Sequence, residues 1–414
     1  MGKLNWRASA VFALCVASAI TLPAQTLKIV HNFDGVDGEL PHAGLLEAAD
    51  GNLYGTTAGE GANRHGGTVF KITNSTLTTL YNFCSKPACA DGKDPHAALI
   101  QSTGGDLYGT TYMGGANKLG TIFKITTEGR LTTLYSFCSR DGCTDGSYPE
   151  GPLVQAADGD FYGTTSGGGA NISSGTVFRI TPAGALTTLY SFCSQSGCAD
   201  GISPESGLIR ATDGDFYGTT VTGGANCREG CGTVFKVTST GALTTLYSFC
   251  SQSGCTDGAT PVAGLVQASN GNFYGTTQNG GGKALGTIFE ITPGGTLTTL
   301  YRFCTQTGCP DGSYPNGGLL MAPEGNLYGT TGFGGACALP SGCGTLFKMT
   351  QSGTLTTLYK FCSQNECTDG ETPEVPLVHG ADGTLYGTTN VGGAVIGGCS
   401  SGNGCGTIFS LSGL

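Results

Sequence analysis

The chain has 414 residues, with 19 Lys+Arg against 29 Asp+Glu, 73 glycines, 19 cysteines and a single tryptophan. An acidic balance with no basic stripe repels phosphate backbones and excludes nucleic acid as a partner. The glycines have no three-residue period, which excludes collagen, and regularly alternating apolar residues exclude a disordered chain.

Residues 1–24 read as a secretory signal peptide. Lys3 and Arg7 give a positive start, Val11 to Leu22 is apolar, and Leu22-Pro23-Ala24 offers a small residue for cleavage near Ala24. The apolar run is shorter than the roughly 20 residues of a membrane span. Cleavage leaves residues 25–414, a net charge of −12 (17 basic against 29 acidic) and no tryptophan. A secreted, periplasmic or cell-surface protein is expected, without a membrane span and monomeric.

Beyond it, Tyr-Gly-Thr-Thr begins at Tyr54, Tyr108, Tyr162, Tyr217, Tyr274, Tyr328 and Tyr386, at spacings of 54, 54, 55, 57, 54 and 58 residues. That period is too long for helical solenoids and close to a kelch-type blade. The third copy divides into four strand-like runs: Gly151 to Ala157, Asp160 to Thr165, Gly175 to Thr181 and Ala185 to Phe192. Asp158-Gly159 and Pro182-Ala183-Gly184 are tight turns, whereas Ser166 to Ser174 and Cys193 to Glu205 are long connections. Tyr, Phe, Val, Ile and Thr fill the runs, as in strands buried on both faces.

Six copies carry a fourth run, Leu-Thr-Thr-Leu-Tyr; the seventh ends at Leu414 without one. Leu27 to Phe33, at the start of the mature chain, aligns with Leu77 to Phe83 of that fourth run. The expected fold is therefore all-β: a seven-bladed propeller of four antiparallel strands per blade, closed by the N-terminal strand completing the last blade. A linear β-solenoid is the alternative.

The remaining eighteen cysteines form nine local pairs. Six have four intervening residues: Cys84/Cys89, Cys138/Cys143, Cys193/Cys198, Cys250/Cys255, Cys304/Cys309 and Cys362/Cys367. The others are Cys227/Cys231, Cys337/Cys343 and Cys399/Cys405. An even count behind a signal peptide reads as disulfides, not as a metal site, since the repeat supplies no histidine beside them.

The pattern Asp-Gly-x-Phe/Leu-Tyr-Gly-Thr-Thr, then Gly-Gly, Gly-Thr-x-Phe and Leu-Tyr-x-Phe resembles the GloVer tandem repeat of bacterial surface proteins across the whole mature chain. The resemblance implies a propeller and a bacterial origin, and no activity. Members often carry a C-terminal anchoring signal; none follows the last strand here, which leaves surface retention without a sequence explanation.

Strand alternation sends both long connections, and with them every cysteine pair, to one face. Binding residues on a rigid scaffold concentrate on such loops. The residues following the proline that opens the innermost strand are His42, His96, Glu150, Glu205, Val262, Asn316 and Glu374, six of them polar and at the channel mouth. They are the candidate binding residues; His42, His96, Glu150 and Glu205 are also the arc that would do acid–base chemistry. A ring of Asp-Gly pairs, Asp37, Asp91, Asp145, Asp200, Asp257, Asp311 and Asp369, offers calcium ligands or Asx turns, and the turn chemistry explains both residues without a metal. Tyr112 and Phe333 are the aromatic candidates for sugar stacking. No nucleophile elbow, zinc-protease helix, phosphate loop or dinucleotide fingerprint occurs. The functional expectation is a non-enzymatic module without a cofactor that binds protein or polysaccharide through the loop face. The alternatives are a hydrolase or lyase using the arc, and a structural surface-layer module.

Overall fold

The computed structural model describes residues 25–414 except 64–65, 172–173, 227–230, 283–284, 336, 338–342, 395–398 and 400–403. Residues 1–24, the expected signal peptide, lie outside the described residues. Seven four-stranded antiparallel sheets form the blades. In the third blade the strands run, from the axis outward, Val154–Gln155, Phe161–Thr165, Thr176–Ile180 and Leu186–Ser191. No helix among the described residues is long and apolar enough to cross a membrane.

The innermost strand is shorter than its sequence suggests, two paired residues instead of seven. Crowding at the axis is the reason. A Cβ on Gly151 would stand 2.4 Å from the backbone nitrogen of Gly207, so neighbouring inner segments pack backbone against backbone and leave the ladder early. The mostly small pair after each rim residue, such as Ala43-Gly44, Ala97-Ala98 and Gly317-Gly318, serves that approach.

The Tyr-Gly-Thr-Thr strand is buried in every blade, with only Tyr386 of the last blade half-buried, and each residue has a separate task. Tyr162 stacks on Phe216 of the next blade at 4.1 Å. A Cβ on Gly163 would meet the Phe178 ring at 2.6 Å, so glycine lets that ring lie across the strand. Thr164 donates to the Ser206 carbonyl of the next blade at 2.8 Å, and the Thr165 and Thr176 hydroxyls pair at 2.8 Å within the blade. The apolar core falls into seven clusters, each shared by two adjacent blades.

The last blade consists of Val378–His379, Leu385–Thr389, Thr407–Ser412 and the N-terminal strand Thr26–Asn32. Thr26 pairs with Ser412 and Asn32 with Thr407, with a bulge between Ile29 and His31. The third blade has the same bulge between its last two strands, so the N-terminal strand is a true fourth strand in register. Phe33 fills the first–last interface beside Phe70 and Ile408, and the Thr388 hydroxyl donates to the Pro41 carbonyl at 3.0 Å.

Candidate functional site

The long connections of each blade are tied together at the mouth. Ser147 forms a two-way bridge with Gly167, and Glu39 with Gly59, so the loop entering a blade lies along the loop that leaves its second strand. The residue before each mouth proline is held in the left-handed region: Leu40, Asp94, Tyr148, Ser203, Thr260, Tyr314 and Thr372, at φ 54–58°. Such a conformation costs a non-glycine residue about 1–3 kcal/mol and persists only when its surroundings impose it. Here Tyr148 N–H donates to the Leu119 carbonyl of the preceding blade at 2.9 Å, and its own carbonyl accepts from Ser166 N–H at 3.0 Å. Each strained residue thus couples two blades and fixes the direction of the proline and rim side chain that follow.

Eight disulfides stiffen the same face: Cys84–Cys89, Cys138–Cys143, Cys193–Cys198, Cys250–Cys255, Cys304–Cys309, Cys337–Cys343, Cys362–Cys367 and Cys399–Cys405. Cys231 is also disulfide-bonded, and its expected partner Cys227 lies outside the described residues. Within these loops the repeated aspartates act as turn clamps. Asp91 Oδ2 accepts from the Tyr81 hydroxyl at 2.8 Å and from Ser85 N–H at 2.9 Å, while Oδ1 accepts from Lys86 N–H at 3.2 Å. Burial alone would raise this carboxyl, but the hydrogen bonds from Ser85 and Tyr81 outweigh it and hold it below its ordinary range. At Asp91, donors therefore occupy lone pairs that a cation would need. In the first loop Asp37 meets His31 at 2.6 Å where the other blades use tyrosine.

The rim residues converge as the spacing implied. His42, His96, Glu150, Glu205, Val262, Asn316 and Glu374 line one cavity of about 360 Å³ around the axis. The second layer behind them is what sequence reasoning missed: it named Tyr112 as an aromatic candidate but assigned no asymmetric support to this arc. The support comes from the position directly after Tyr-Gly-Thr-Thr, which reads Ala58, Tyr112, Ser166, Val221, Gln278, Gly332 and Asn390. A fully variable position beside an invariant tetrapeptide was the available signal.

Each supporting side chain treats its rim neighbour differently. Tyr112 stacks on His96 at 5.0 Å with the planes 3° apart, His42 adjoins His96 at 5.5 Å, and Tyr148 adjoins Tyr112 at 4.9 Å, which makes a run of four rings. The Ser166 hydroxyl donates to Glu150 Oε1 at 2.7 Å. On the far side Gln278 donates to Asn316 at 3.0 Å, Asn316 to Glu374 Oε1 at 2.8 Å, and Asn390 to Glu374 Oε2 at 2.9 Å. Phe333, the other aromatic candidate, packs against Tyr314 at 5.5 Å.

Electrostatics divide the ring further. Burial lowers His42, and burial followed by the His42 charge lowers His96 to about 4, so both imidazoles are neutral at pH 7. Burial raises Glu150 and Glu374 against their hydrogen bonds. Burial first and the Glu150 charge second raise Glu205 to about 7, and no hydrogen bond ties its carboxyl to another described residue. The arrangement can accept and donate hydrogen bonds, present aromatic rings, and take up or release a proton near neutrality.

A family model described as the Gloeobacter/Verrucomicrobia repeat matches residues 9–229 and 213–413. No curated protein matches the chain. Solved structures that align with it include a polysaccharide lyase, at 12% identity and TM-score 0.49 over 92% of this chain and 91% of that one. Another is described as an oxidoreductase (glucose dehydrogenase) from Thermus thermophilus, at 14% identity and TM-score 0.45 over 94% and 100%. A third is described as a gluconolactonase, at 13% identity and TM-score 0.42 over 75% and 91%. Likeness at this level says nothing of chemistry.

Proposed function

We propose that this chain, which belongs to the Gloeobacter/Verrucomicrobia repeat family, is an extracellular binding module that receives a polysaccharide at the axial cavity of its disulfide-bearing face and does not turn it over. One observation carries this reading: among the described residues of an otherwise repetitive molecule, a strongly asymmetric set of side chains lines that cavity, with His42 and His96 backed by Tyr112 on one side and the hydrogen-bonded Asn316 and Glu374 on the other. Ligand sites combine such apolar walls with a few placed polar groups. Disulfides throughout the loops are consistent with life outside a reducing cytosol.

A hydrolase or lyase is the second reading, favoured by the pair Glu150 and Glu205 in a shared cavity, the later-titrating of which is placed for proton transfer near neutral pH. A screen of glycan, lactone and ester substrates separates the two readings. We expect glycan binding without turnover by the wild type, and a folded His42→Ala/Glu150→Gln protein with weakened binding. Turnover that disappears in that double variant would make the protein an enzyme.

A further inference from the structure

We infer that the axial cavity selects a cationic amino sugar, so that the polysaccharide bound there carries free amino groups. This rests on the polysaccharide reading and adds its chemical class. Three features of the cavity point the same way, and none of them is required by the fold.

The first is charge without compensation. Glu150, Glu205 and Glu374 all line the cavity, and among the described residues no lysine or arginine does. The two imidazoles on the same rim stay neutral at pH 7 and bring no balancing charge. Glu374 is steadied by two amides, but an amide donates hydrogen bonds without neutralising a carboxylate. A protonated amine would supply both the counter-charge and the strong N–H donors that such carboxyls accept best. The mature chain's charge of −12 draws a cation toward the mouth from a distance.

The second is unspent hydrogen-bonding capacity. Among the described residues, no partner side chain holds the carboxyl of Glu205 or the ring of His42. Behind Glu374, Asn390 is 4% exposed and its Oδ1 has no partner among the described residues. Buried polar groups are normally satisfied, so open ones around a cavity mark what a ligand completes.

The third is shape. His42 and His96 line the cavity, and Tyr112 stacked behind His96, with Tyr148 beside it, holds that aromatic side in place near the Glu150 carboxyl. A pyranose presents an apolar ring face with polar groups around its edge, which matches an aromatic side bordered by carboxyls and an amide. A lysine side chain satisfies the charge but leaves the aromatic side uncovered. A divalent cation would take the carboxyls and the imidazoles but leave the tyrosine rings unused.

The test uses the mature, oxidised chain in calorimetric titrations at pH 7 with four probes: a glucosamine hexamer, its fully N-acetylated counterpart, hexalysine and calcium chloride. We expect the glucosamine hexamer to bind at least about tenfold more tightly than the acetylated one, as loss of a charge-assisted contact implies. Glu205→Gln should weaken it about tenfold while weakening the acetylated hexamer less, and Tyr112→Ala should weaken both hexamers by a similar factor, with both variants folded by circular dichroism. Equal binding of the two hexamers would overturn amine selection and leave the polysaccharide reading standing. Tight hexalysine binding without glucosamine binding would overturn the inference in favour of a protein ligand. Calcium as the sole binding probe would replace it with a metal site. No binding by any probe, together with a blank glycan array, would remove both the inference and the reading beneath it.

Discussion

Glu205 and Glu150 occupy matching positions in consecutive blades, and the fold leaves them facing the same cavity as His42, His96 and Glu374, with both charges also felt by the Tyr112 hydroxyl. Two carboxyls so placed titrate as a coupled pair. We expect carbon-detected NMR to show one step of that pair near pH 7 in the wild type. In Glu150→Gln the Glu205 step should move down only part of the way, because burial is the larger cause. A step at the ordinary carboxyl position in wild type would refute the desolvated rim. The sign of the linked stability follows: a carboxyl raised by folding keeps its proton longer in the native state, so stability falls as pH rises from about 4.3 through 7. Glu205→Gln removes that penalty and should melt higher than wild type at pH 8 while melting equally at pH 4. A side chain whose removal stabilises the fold is one retained for function.

The loop, not the strand, is the element in which this protein varies. Each blade devotes a left-handed residue, an aspartate clamp and in most cases a disulfide to fixing one connection. A bridge closing so small a loop contributes only about 2 kcal/mol through chain entropy, so the stiffening of the rim is its larger effect. Non-reducing peptide mapping should return every bridge within its own loop, including Cys227–Cys231. A peptide joining Cys89 to a cysteine of another repeat would overturn the local pairing. Mild reduction should then lower ligand affinity more than it lowers the melting temperature, since preordered loops lose less freedom on binding.

Closure governs the whole molecule. All seven inter-blade interfaces are filled, and the one between the first and last blades depends on Phe33 and on the N-terminal strand that leads to it. Deleting Leu27 to Phe33 leaves a three-stranded last blade with an open edge, and we expect an aggregating product in size-exclusion chromatography. Phe33→Ala keeps the strand and should cost about 3–5 kcal/mol in a urea titration. A monomeric deletion variant with an unchanged melting temperature would contradict the closed ring.

Seven Tyr-Gly-Thr-Thr copies, four strand-like runs per copy and the displaced Leu27 to Phe33 run determined by themselves the blade number, the strand count and the closure, because local alternation and repetition leave a ring as the simplest way to bury every face. The rim residues His42, His96, Glu150, Glu205, Asn316 and Glu374 were also legible, since a proline at constant spacing marks the same place in each blade. Only the tertiary structure decided how short the innermost strands are, because the crowding comes from neighbouring blades about 55 residues away along the chain. It alone decided the character of the site as well. Tyr112 meets His96, Ser166 meets Glu150, and Asn390 meets Glu374 across a gap of 16 residues, and burial at the axis, a property of the closed ring and of no single repeat, neutralises the histidines and raises the glutamates.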